Sequence, residues 1–241
     1  MKAMKMQGIR QGTRTGNAVD FWRKKGFQGS RSQLQSWASI NGSQSSVTFP
    51  ILATQPNNVN TIWNMEKRLN ISDSFIVLSI GVYLGQSPTT GTATPTAAQN
   101  AQTQLYTYRN TQQFIAAVDS VYNGYLSIKI GNVNWFPAIS LRKFYRVPQA
   151  QQVAAGTNQN GIGKDEWETD YGLMKLTPTL TLNGNGNNDF TVTLPDGSTS
   201  LIAASGTYNS LVLFLDGIIL PNAAGKIDLE TSNAFASQFG R

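Results

Sequence analysis

The chain has neither cysteine nor histidine in 241 residues. Without cysteine there is no disulfide framework and no thiolate metal site. Without histidine there is no Ser-His-Asp triad, no Cys-His dyad, no imidazole general base and no zinc site of the usual His/Cys kind. Charge is scarce too: Asp, Glu, Lys and Arg make up 13% of the chain, against roughly 25% in an average globular protein. Asn, Gln, Ser, Thr and Gly take their place. A surface of uncharged polar groups repels copies of itself weakly and can be covered without desolvating ions. Such a surface suits a self-assembling subunit, and equally a loop-rich extracellular domain. No apolar run approaches the roughly 18 residues of a transmembrane helix. The opening MKAMKMQGIRQGTRTG has nothing like the apolar core of a secretion signal. The expectation is a protein made in the cytoplasm that stays there or leaves by another route, such as lysis.

The chemistry left by these absences is carboxylate pairs, Ser-Lys pairs, tyrosine and all-oxygen metal sites. The one dense acid cluster is Asp165, Glu166, Glu168 and Asp170 around Trp167. Ca²⁺ accepts flexible oxygen cages, but the spacing does not match an EF-hand loop and no glycine occupies its turn position. The segment reads instead as a solvated acidic loop, or as a counterpart for basic residues on a neighbouring subunit. Gly156 and Gly161 have the separation of a phosphate-binding loop, yet Ile162 stands where the lysine belongs and Lys164 comes late. Asn41 and Asn70 match glycosylation acceptors without a secretion signal beside them. No pair of facing carboxylates can be named for glycoside hydrolysis. No catalytic residue, metal site or cofactor is expected, and no small-molecule substrate.

What the chain does have is a lopsided charge. Residues 1–60 hold eight basic side chains, Lys2, Lys5, Arg10, Arg14, Arg23, Lys24, Lys25 and Arg31, and one acid, Asp20, a net of +7. The remainder holds 11 basic and 12 acidic residues, a net of −1, so the whole +6 lies at the front. Basic residues separated by Gly, Gln, Ser and Thr suit sequence-blind contact with phosphates. Residues 1–16 offer little to bury and read as disordered alone. Residues 18–25 read as a short helix capped by Asn17 and ended by Gly26 in the left-handed position. A second helical turn is read over residues 33–40. Phe21, Trp22, Phe27 and Trp37 would then be aromatic anchors on the arm. They could stack on unpaired bases, enter a lipid interface, or dock on the chain's own body. The arm's partner is therefore nucleic acid, a neighbouring protein or a membrane surface, or the charge merely solubilises the chain.

From residue 46 the character changes to strands. Residues 46–52, 73–84, 105–108, 124–130, 134–147, 175–182, 190–194 and 211–215 carry alternating or continuous β-branched and aromatic residues. Along 124–130, Tyr125, Ser127 and Lys129 fall on one face and Leu126, Ile128 and Ile130 on the other. The run NGNGNN at 183–188 predicts a tight turn, because Asn and Gly tolerate positive φ. Asp216-Gly217 separates residues 211–215 from 218–220 like a turn signal. Residues 86–104 and 149–170 read as long polar loops. About eight short strands, with no long helix in the body, predict a sandwich or barrel. The fold class is all-β: a jelly-roll-like antiparallel β-sandwich over residues 46–241, preceded by an extended basic N-terminal arm over residues 1–45.

A basic arm, a strand-rich body with long Asn/Gln/Thr/Gly loops, and no Cys or His resemble the layout of jelly-roll capsid proteins from icosahedral viruses and bacteriophages. The resemblance covers the whole chain in style and carries no motif, so it transfers no functional residue. It implies a virion structural protein assembled in the host cytoplasm, whose main partner is itself in an icosahedral lattice. Other virion proteins and, through the arm, nucleic acid would be further partners. The arm would lie on the inner surface, near genome, internal membrane or adjacent subunits. Three rival readings are a minor virion component such as a decoration, spike or tail protein, a carbohydrate-binding β-sandwich with exposed Trp135, Trp167 or tyrosines as its platform, and a non-specific nucleic-acid binder that does not assemble.

Overall fold

A computed structural model describes residues 10–40, 45–51, 69–88, 99, 102–106, 120–145, 172–195, 207–227 and 229–239. Among these residues nine strands form two antiparallel sheets. They are β1 (Ser30–Ser39), β2 (Ser46–Pro50), β3 (Ser74–Pro88), β4 (Gln104–Tyr106), β5 (Tyr125–Ile130), β6 (Val133–Ser140), β7 (Met174–Asn183), β8 (Asn188–Thr193) and β9 (Thr207–Leu220). One sheet runs β1-β9-β3-β4, with β7 also paired to β3; the other runs β2-β8-β5-β6.

The pairing is nested. β5 pairs with β6, β3 with β7, β2 with β8 and β1 with β9. The chain thus behaves as one long hairpin, doubled back at the β5–β6 turn and then rolled. Two further pairings, β9 on β3 and β8 on β5, close the roll into two sheets. This order is that of a jelly roll. The innermost turn is tight, with Gly131 at φ 59, a conformation that costs glycine nothing. The predicted NGNGNN turn joins β7 to β8. Asn188, fully buried, donates from its amide nitrogen to the carbonyls of Asn183 (2.9 Å), Gly186 (3.1 Å) and Ile51 (3.1 Å).

Between the sheets, alternate residues of every long strand meet in one core. Phe49, Phe75, Val77, Val82, Leu126, Ile128, Leu180, Phe190, Val192, Leu211 and Leu213 are all buried there. β3 is buried along nearly its whole length, as its continuous apolar run predicts. Its alternation changes phase in the middle. Val77 and Ile80 both face the inter-sheet core, while Ile76 and Leu78 face the opposite side. The cause is a β-bulge on β3, where the register against β9 shifts between Val77 and Ser79. Gly217 sits opposite this bulge. A Cβ there would lie 1.9 Å from the Ile76 carbonyl oxygen, so the two backbones approach as only a glycine allows.

The front of the chain differs from expectation. Residues 33–40 are not a helical turn; residues 30–39 form β1, paired with β9 in unbroken register from Ser30 opposite Ile219 to Ser39 opposite Ser210. Leu34, Ala38 and Ile40 join the inter-sheet core. The sandwich therefore takes in residues from 30 onward, where the sequence suggested an arm to residue 45. The short helix is longer than expected: α1 spans Arg10–Lys24, so Asn17 lies inside it rather than capping it. Its end is as expected. Gly26 has φ +87, Phe27 N–H reaches the Trp22 carbonyl at 3.0 Å and Gly26 N–H reaches that of Arg23 at 3.0 Å. These bonds satisfy the carbonyls that a helix end leaves open. A second helix, α2 (Leu229–Phe239), was not anticipated.

Candidate functional site

The expected site was the basic arm with its aromatic anchors, and the structure separates the two groups. Phe21, Trp22 and Phe27 pack on the chain itself. α1 and α2 lie over the outer face of the larger sheet, where Ala18, Trp22, Ile76, Leu78, Ile218, Leu220, Ala223 and Phe235 make a second core. Trp22 is fully buried. Its ring meets Phe21 edge-on at 5.4 Å, Phe27 at 5.8 Å and Phe235 at 5.1 Å. A ring so enclosed is not available to stack on a base or enter a lipid interface. Of the readings open for these aromatics, docking on the chain's own body is the one found. Trp37 lies on β1, half-buried, on the sheet's outer face; its ring would come within 3.2 Å of a Cβ at Gly85.

The basic residues divide as well. Arg31 is tied into the fold: its guanidinium lies 3.5 Å from the carboxylate of buried Asp216, which also accepts from Gln33 at 3.4 Å. Arg23, Lys24 and Lys25 are exposed at the C-terminal end of α1. That position is favourable, since the last carbonyls of a helix carry partial negative charge. Arg23 lies 3.6 Å from exposed Asp20, a contact worth little in water. Arg10 and Arg14 are on α1, with their side chains outside the described residues. Lys2 and Lys5 lie wholly outside them, as does the acidic cluster at 165–170. The described part of the candidate interface is thus three adjacent cations at one helix end, held on the sandwich by a buried aromatic cluster.

The other sheet presents a different surface. Its outer face carries no helix among the described residues. Tyr125 and Trp135 are 44% and 45% exposed there. Sequence alone named Trp135 as a stacking residue; it gave no sign that the neighbouring strands would be bare. Among the described residues no group of three Asp or Glu could hold a metal ion, and no helix is long and apolar enough to cross a membrane.

No family model matches the chain, and no curated protein sequence matches it. Among solved structures it is similar to a Nora virus structure, at 14% identity over 86% of this chain and 76% of that one, with a TM-score of 0.23. A score that low carries no argument, and the fold rests on the strand pairing above.

Proposed function

We propose that the chain is a structural subunit of a virion, a capsid protein that assembles with copies of itself into an icosahedral shell in the host cytoplasm. One observation carries this reading: a jelly-roll sandwich in which the whole net positive charge belongs to the first 60 residues. Folds host many functions, so the strand order is an analogy. The charge distribution adds a physical reason. A near-neutral body can meet its own copies without repulsion, while the basic front end draws a polyanion by counterion release. On this reading the shell's contents are nucleic acid, met by Arg23, Lys24, Lys25 and the basic residues before them. The mechanism is assembly, not turnover, and no cofactor takes part.

The test is sedimentation and electron microscopy of the purified full chain, with and without single-stranded nucleic acid. Closed particles of uniform size support the reading. A folded protein that stays monomeric or forms only small oligomers under every condition refutes it, and discrete trimers would point to a minor virion component.

A further inference from the structure

The outer face of the β2-β8-β5-β6 sheet carries no helix among the described residues, and the assembly reading makes no use of it. Two bulges in β6, where its register against β5 shifts, decide what it displays. Phe136 and Ile139 turn toward the inter-sheet core. Asn134 pairs with Lys129, and Trp135 is the extra residue beside them, so both lie on the outer side. Pro137 and Ala138 are likewise the exposed residues opposite Ser127. Tyr125 stands at the far end of β5, opposite Ser140 and Thr193. Two exposed aromatic rings are thus set about four residues apart, roughly 13 Å along the strands, with a floor of small side chains between them.

The charges on this face cancel. Lys129 is in register with Asp189 on β8, and neighbouring positions carry hydroxyls or amides, including Thr191 and Asn134. A polyanion finds no net attraction among the paired positions of these strands; exposed Arg142 and Lys143 lie beyond the end of β6, in the 3-10 turn that follows it. A protein partner wants a contiguous apolar centre, whereas these rings are separated by small and polar groups. A neutral oligosaccharide matches both features. The C–H faces of its rings lie against aromatic rings, and its hydroxyls exchange hydrogen bonds with carboxylate, ammonium, amide and hydroxyl groups.

We infer that this face, from Tyr125 to Trp135, binds a neutral oligosaccharide lying across β5 and β6. The test uses the full chain on a neutral glycan array, followed by calorimetry with cellotetraose, maltotetraose and chitotetraose and with any array hit. The expected result is saturable binding to at least one glycan. Trp135→Ala and Tyr125→Ala should each weaken it by about three- to tenfold, the size of an aromatic contact, with unchanged melting temperature because both rings are exposed. No binding across the array overturns the inference, as does binding that survives the double variant. A Trp135→Ala variant that changes particle or oligomer size while no glycan binds would also overturn it, and would assign the face to a second copy of the chain. Assembly is scored separately, so loss of sugar binding leaves the capsid reading untouched and the reverse.

Discussion

Replacing Trp22 with alanine tests whether the basic end of the chain is held by the sandwich or merely trails from it. The side chain is fully buried among Phe21, Phe27, Phe235, Ile218 and Leu220. Truncating a buried tryptophan costs about 3–5 kcal/mol, a large share of the 5–15 kcal/mol that typically holds a domain together. Two further considerations sharpen the expectation. α1 precedes the first strand of the sandwich and, at 15 residues with Gly12 and Gly16 inside it, would be marginal as a free helix. The cheapest response is therefore for α1 to leave the sheet and unfold while the jelly roll persists, which caps the global loss at the docking energy of the helix. The Trp22 indole N–H is also buried without a hydrogen-bond acceptor among the described residues, a burden of about 1–3 kcal/mol. Trp22→Phe removes that orphan donor along with part of the packing and should fall within about 1.5 kcal/mol of the parent. The assays are urea unfolding followed by circular dichroism, and limited trypsin digestion at Arg23, Lys24 and Lys25. Trp22→Ala should lose helix signal and be cut at these residues at least tenfold faster; Trp22→Phe should not. Unchanged cleavage in Trp22→Ala would show that the aromatic cluster does not hold α1.

Three other outcomes follow from the same geometry. Gly217→Ala forces a Cβ against the Ile76 carbonyl and should destabilise by about 1–3 kcal/mol in thermal or urea melts; a neutral result would mean the bulge relaxes freely. Deleting residues 1–9 should leave the fold intact, whereas deleting 1–40 removes β1 with Leu34 and Ile40, and should yield aggregated or molten protein by near-ultraviolet circular dichroism. A soluble, cooperative 1–40 deletion would refute the role of β1. Changing Arg23, Lys24 and Lys25 together to Gln should weaken single-stranded nucleic-acid binding and lower its log-salt slope by about 2, measured by fluorescence anisotropy. An unchanged slope would mean these cations touch no phosphate.

The sequence carried the core strands plainly, and it lost the places where one signal had two meanings. Residues 175–182 and 124–130 alternate with period 2 and became β7 and β5. The run at 73–84 reads as fully buried, although only the structure gives the reason: helices cover one face and the second sheet the other. Residues 33–40 read as a helical turn because Leu34 and Trp37 are three apart, a helical spacing. The true inward set is Leu34, Ser36, Ala38 and Ile40, and its small members conceal the alternation. Asp216-Gly217 has the composition of a turn, yet it lies inside β9 because glycine also serves where two backbones touch. α2 was not read because α1 and a sheet face supply most of what buries it; Phe235 is too little to announce a helix. For the site, charge counting found the cations but could not tell an anchored helix end from a free tail. Nor could it tell that Arg31 belongs to Asp216.

The two outer faces of the sandwich differ in what covers them among the described residues. One is sealed by the chain's own helices, and the exposed cations at the end of α1 follow from that seal. Trp22 fixes the final turn, Gly26 stops it, and Arg23, Lys24 and Lys25 are left pointing to solvent. The other face carries no helix among the described residues, sets Lys129 in register with Asp189 and holds two exposed rings. A free basic tail would give the subunit no such polarity, because its charge could reach either side. Anchoring α1 commits part of the positive charge to one side of the molecule. In the proposed shell that side faces the polyanion, and the neutral face with Tyr125 and Trp135 is turned away from it. The aromatic cluster on the larger sheet would then set the subunit's inside and outside, which ties a core-packing residue to the direction of assembly.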